Sequence, residues 1–245
     1  MFGETPIILT GAFLAAFVAG AAGFGDALIV AAIWLQFFSP AEIVPVIVAC
    51  FFVMHIVMLI KMRKRLDFRH LLPFLIGGAV GVPMGAQLLK LVEPHTFKLF
   101  AGAGLIAYGT IMLMLTNLPV IAWGGKVLNA GVGCIGGVLG GFAGLSGFVP
   151  AIWCTQRGWS REQTRGVTQP YIMTMHGMAF GWMASGGLVT SLTGSRFMIA
   201  MPAVAVGAWL GVRLYGQCDE KRFRQCVLVM LVIAGTLLLF NPGGR

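Results

Sequence analysis

Apolar residues in this chain run in long unbroken stretches, with no short alternation of a half-buried strand and little of the polar face that an amphipathic surface helix requires. A helix needs about 20 apolar residues to cross the hydrocarbon core. Six stretches meet that need or come close: 42–60, 70–89, 95–115, 166–185, 196–215 and the shorter 225–240. Two others, 5–38 and 127–156, exceed one simple span and are interrupted by glycine, as GAAGFGDALIV from Gly20 to Val30 and GGFAGLSGFVP from Gly140 to Pro150. Clustered glycine beside a polar residue breaks a helix, and such breaks survive at lipid depth only where protein or a cavity satisfies the backbone. The pattern predicts an all-α polytopic membrane protein with two broken segments and short linkers.

Composition sharpens this reading. Of the 245 residues 58% are hydrophobic and 10% charged, and mean hydropathy is +0.89. A soluble domain carries roughly 25% charged residues, so a water-covered enzyme, a disordered chain and a nucleic-acid binder are all excluded. The net charge of +9 then reports topology rather than an acidic partner. Five cysteines show neither CxxC nor metal spacing, so no metal and no cofactor is expected. The first sixty residues hold no Lys or Arg; without a positive n-region, the first apolar segment is expected to stay in the mature protein.

The chain reads as duplicated. A shift of 121 residues lays Gly23-Phe24-Gly25-Asp26 over Gly144-Leu145-Ser146-Gly147, and Met54-His55 over Met175-His176. A shift of 126 lays Gly81 and Gly85 over Gly207 and Gly211, Phe97 over Phe223 and Gly109 over Gly235. The expected organisation is one membrane transport domain over 1–245, with repeat 1 at about 5–115 and repeat 2 at about 127–240. If both broken segments cross fully, the 17 basic residues divide 8 to 9; if both are re-entrant hairpins, only Lys90, Lys98, Arg196 and Arg245 fall on one side and 13 on the other. The positive-inside rule favours the hairpins. Each half is then a hairpin plus three spans, which inverts the halves and puts both termini outside the cytoplasm.

Inverted hairpins would bring the glycine tips to the midplane, each second arm (26–38 and 147–156) presenting a helix N-terminus suited to an anion. The candidate substrate-binding residues are Gly23, Gly25, Asp26, His55, Gly144, Ser146, Gly147, Gln169 and His176. The plainer alternatives are tight helix packing for the glycines, N-capping for Asp26 and Ser146, and interhelical hydrogen bonding for the histidines. Asp26 is the one carboxylate deep in an apolar run, and such groups are functional candidates by default. Equivalent repeat positions would place both histidines around one centre, with Gln169 two turns before His176 on the same face. The Gly81/Gly85 and Gly207/Gly211 pairs are expected to serve helix packing. Gly144-Leu145-Ser146-Gly147 with His176 also resembles the serine and histidine of rhomboid intramembrane proteases, but the first half has no matching serine.

On its size, its duplication and its glycine-rich openings, Gly20-Ala-Ala-Gly23-Phe-Gly25-Asp26 and Gly140-Gly-Phe-Ala-Gly144-Leu-Ser146-Gly147-Phe-Val-Pro150, the chain resembles the sulfite exporter TauE/SafE family of bacterial membrane proteins. Pro150 matches that family's proline-bearing second arm; the first half carries Ile29 there. The resemblance implies transport, often export, of sulfur-containing anions such as sulfite, thiosulfate or organosulfonates across the bacterial inner membrane. With no Walker sequence to bind ATP, a secondary carrier is expected, not an enzyme, with an anion channel as the runner-up. The expected partners are the small anion and the lipid bilayer, with no nucleic acid; a homo-oligomer is left open.

Overall fold

The computed structural model describes residues 3–22, 25–62, 67–114, 121, 124–214 and 220–240, and among them it is helical with no strand. Ten helices follow in order: α1 (Thr5–Ala22), α2 (Asp26–Trp34), α3 (Pro40–Met62), α4 (Phe68–Leu91), α5 (Pro94–Met114), α6 (Gly125–Ala143), α7 (Phe148–Gln156), α8 (Arg161–Ser185), α9 (Ser191–Leu214) and α10 (Glu220–Phe240). By length and composition, Pro40–Ile60 within α3, together with α4, α5, α6 and α9, are long and apolar enough to cross a membrane. All six spans expected from the hydrophobic pattern coincide with helices, α8 and α10 being the two outside that apolar set.

Both over-long segments are broken helices. The first divides into 18- and 9-residue arms, α1 and α2, and the second into 19- and 9-residue arms, α6 and α7. A nine-residue arm is about 13 Å long at 1.5 Å per residue, too short for a hydrocarbon core about 30 Å thick, so α2 and α7 are half-spans. Glycine makes each break. Gly25 precedes α2 at φ 97° and Gly144 ends α6 at φ 75°, left-handed values that a Cβ opposes. The N–H groups of Gly144 and Leu145 bond back to the carbonyls of Gly140 and Leu139, closing the last turn of α6.

The chain forms two compact units. The first comprises residues 1–47, 92–117 and 191–245. In it α1 packs along α9, and α5 along α10. A Cβ on Gly207 or Gly211 would strike the carbonyl oxygen of Phe13 or Phe17, and Gly102 and Gly235 face each other's carbonyls. The arms of the first hairpin are pinned by the Trp34 indole, which donates to the Ile7 carbonyl (3.1 Å) in the space that Gly11 leaves. Arg196 is buried there and joins Glu42 (2.9 Å) and Glu4 (3.2 Å), its guanidinium 4.5 Å from the Phe38 ring centroid.

The second unit comprises residues 48–91 and 118–190, and its spine is the pair α4 and α6. Gly77, Gly81 and Gly85 of α4 lie on the backbone of Ala130, Cys134 and Val138, while Gly133, Gly137 and Gly141 of α6 lie on that of Phe74, Gly78 and Val82. Small residues on both faces let the two backbones touch, the usual device for joining helices where no hydrophobic force exists between them. The packing role expected for Gly81/Gly85 and Gly207/Gly211 is what the structure shows.

Candidate functional site

Within the second unit, the tip between α6 and α7 sits beside α8. Helix α8 starts on a full capping box, in which the Ser160 hydroxyl accepts from the Gln163 N–H (3.2 Å) and Gln163 Oε1 accepts from the Ser160 N–H (3.1 Å). Helical spacing then aims Gln169 and His176 from the same face, both buried. Between them comes His55 from α3. Its Nδ1 donates to Gln169 Oε1 at 2.6 Å, and its ring lies 5.9 Å from that of His176, centroid to centroid. His176 Nε2 in turn donates to the carbonyl oxygen of Gly144 at 2.9 Å. One continuous polar cluster thus runs from Gln169 through both histidines to the glycine tip. Pro170 follows Gln169 within α8 and removes a helical N–H there.

At the tip itself, Gly147 is the N-cap of α7 and supplies no side-chain cap. Ser146 is fully buried, and its hydroxyl meets no hydrogen-bond partner among the described residues. Two glycines of α6 make room for it: a Cβ on Gly140 would strike Ser146 Oγ, and one on Gly136 would crowd the Ser146 carbonyl, Pro150 and the Tyr171 hydroxyl. Pro150 occupies the first turn of α7, where the N–H it lacks would have no intrahelical partner in any case. A buried hydroxyl without a partner forfeits its hydration with no return, beside the positive end of a half-helix.

Eight of the nine candidate residues can therefore be placed. His55, Gly144, Ser146, Gly147, Gln169 and His176 come together in the second unit. Asp26 is buried at the first position of α2 in the first unit, after Gly25, its N-cap. Gly23 lies outside the described residues. The N-cap alternative for Asp26 and Ser146 is corrected, because glycine holds both cap positions, Gly25 for α2 and Gly147 for α7. The serine–histidine hydrogen bond of the rhomboid alternative is not formed: His176 Nε2 serves the Gly144 carbonyl, and Ser146 Oγ has no partner among the described residues. Tyr171 was not singled out from sequence. It is buried, donates to the Gly133 carbonyl (2.6 Å) and meets the Phe74 ring edge-on; only its place beside Pro170 in the α8 pattern hinted at it.

Apolar spans, two glycine-broken half-helices and an enclosed polar cluster define a multi-pass helical membrane protein. The chain belongs to the Sulfite exporter TauE/SafE family, whose pattern its residues 8–238 match. That family consists of membrane transport proteins rather than enzymes. No curated protein and no solved structure matches the chain.

Proposed function

We propose that this protein is a secondary carrier that exports small sulfur-containing anions, such as sulfite, thiosulfate or organosulfonates, across the bacterial inner membrane. The whole of 1–245 acts as one transport domain, and its two halves are inverted repeats that alternate access to the anion. The observation that carries this reading is the fully buried Ser146 hydroxyl, without a hydrogen-bond partner among the described residues, next to the α7 N-terminus and within a cluster that holds His55, Gln169 and His176. The Ser146 hydroxyl is a donor that an oxyanion accepts, and the α7 N-terminus adds the positive end of its dipole. Gly144 and Gly147 let the anion approach backbone, and Gly25 and Asp26 play the corresponding part in the first half.

Two further observations support the scheme. In each unit the long arm of one hairpin packs on the glycine stripe of the helix that stands fourth in the other half, α1 on α9 and α6 on α4, as a two-fold duplication requires. Full burial of His55, Ser146 and His176 favours a carrier with an occluded state over a channel, whose binding groups would face a water-filled path. Protonation would give each imidazole a second N–H for the anion and couple flux to protons.

Purified protein titrated with sulfite, thiosulfate, small sulfonates and matched carboxylates provides the test. Saturable binding of the sulfur oxyanions, weakened in Ser146→Ala, is expected. Equal binding of carboxylates would remove the sulfur preference, and absence of any anion binding would end the carrier reading.

A further inference from the structure

A second cluster of polar side chains lies apart from Ser146 and the histidines, where α4 and α6 begin. Arg69, His70 and Pro73 of α4, Gly125, Lys126 and Asn129 of α6, and Arg157 at the end of α7 line a cleft of about 310 Å³. No carboxylate is among these residues. The nearest one in sequence, Asp67, is occupied by His70, accepting from its Nδ1 at 2.6 Å and its N–H at 3.2 Å. Arg69 and Lys126 therefore leave the cleft positive, with the Arg157 guanidinium at its edge. Helix α6 adds the positive end of its dipole, since its N-cap Gly124 makes no side-chain cap hydrogen bond.

The surroundings say what kind of anion fits. Along α4, Phe68, Leu72, Ile76, Val80, Met84 and Leu88 recur every fourth residue and are all exposed, a stripe that faces lipid in a membrane helix. The cleft sits at the end of this stripe, with Phe68 at 68% exposure next to Arg69, and Val127 at 85% next to Lys126. Trp153 and Trp159 stand at the same end, Trp153 beneath the Arg157 guanidinium (5.9 Å) and Trp159 edge-on to His70 (4.9 Å), as aromatic side chains do at the headgroup level. A ligand that fills a basic cleft and leaves beside a wholly apolar stripe is an amphiphile with an anionic head. Guanidinium forks suit phosphate oxygens, and basic recesses between membrane helices hold anionic headgroups.

We infer that this cleft binds the phosphate headgroup of an anionic phospholipid, whose acyl chains lie along the exposed face of α4. The full-length protein, delipidated in detergent, is titrated with phosphatidylglycerol, phosphatidylcholine, inorganic phosphate and sulfite while its thermal unfolding midpoint is followed. Phosphatidylglycerol is expected to raise the midpoint and phosphatidylcholine to leave it unchanged. Arg69→Gln and Lys126→Gln should each weaken the phosphatidylglycerol effect by about ten- to a hundredfold in lipid concentration, the scale of one charge-assisted contact. Lys126 is exposed, so its variant tests the site without threatening the fold, and Arg213→Gln on α9 serves as a basic control that retains the effect. An equal response to phosphatidylcholine, or an unaltered response in both variants, overturns the proposal. A variant-sensitive response to inorganic phosphate or sulfite that matches that of phosphatidylglycerol overturns it in favour of a free oxyanion site.

Discussion

Ser146 sets apart a binding role from a structural one, because its hydroxyl has no hydrogen bond to lose among the described residues. Ser146→Ala should leave the unfolding midpoint unchanged or raise it, while weakening anion binding about ten- to a hundredfold, the loss of one hydrogen bond to a charged group. Ser146→Asp should weaken binding much further through repulsion. Calorimetric titration alongside thermal unfolding reads both quantities, and a destabilised alanine variant with normal affinity would assign the hydroxyl to the fold. The histidines carry a parallel expectation. His55→Ala and His176→Ala should each lower flux in proteoliposomes, and to different extents, since Gln169 lies against His55 and the Gly144 carbonyl against His176. Normal flux in the double variant would return both rings to interhelical hydrogen bonding. Outside the spans, Asp67 is a smaller case. Burial alone would raise its carboxyl, but the hydrogen bonds and charge of His70 outweigh that and hold it below the ordinary range. A depressed carboxyl stabilises the fold above the ordinary carboxylate range and loses that contribution as pH falls. Asp67→Asn should therefore flatten the acid side of the stability profile slightly, the pair being largely exposed.

At the scale of the element, glycine has two separate uses in α6. Gly133 and Gly137 touch the α4 backbone, whereas a Cβ on Gly131 would meet open space. Gly137→Leu should overpack the α4–α6 contact and cost about 1–3 kcal/mol or more, while Gly131→Ala should be neutral or mildly stabilising through helix propensity. Unfolding midpoints in one detergent compare the two, and equal effects would remove the close-packing account. The breaks at Gly25 and Gly144 were legible in sequence because glycine clustered inside an apolar run has few other uses. Their inner geometry was not. Which glycine takes the left-handed conformation depends on where the preceding helix can close its last turn, and that choice left Ser146 before the cap of α7 rather than on it.

For the whole molecule, inverted halves require the loops around 61–69 and 157–165 to face the same, cytoplasmic side. Single cysteines placed in each loop of a Cys-free variant, probed on intact cells with an impermeant thiol reagent, should be equally protected. Opposite labelling would give the halves the same orientation and dismantle the alternating-access scheme, while leaving the second-unit cluster as it stands.

Hydrophobic run length determined the helical membrane class, and all six expected spans coincide with helices, because crossing a bilayer demands long apolar stretches that little else in a chain resembles. The glycine breaks and the pairing of His55 with His176 could likewise be read from the chain, the latter through repeat register alone. Tertiary structure decided the rest. Hydrogen-bond direction joined Gln169 to His55 and His176 to the Gly144 carbonyl, and helix contact showed that α4 packs on α6 and α1 on α9. The cleft of Arg69, Lys126 and Arg157 draws its cations from three distant parts of the chain. Periodicity records which residues leave water, and packing alone records which of them meet.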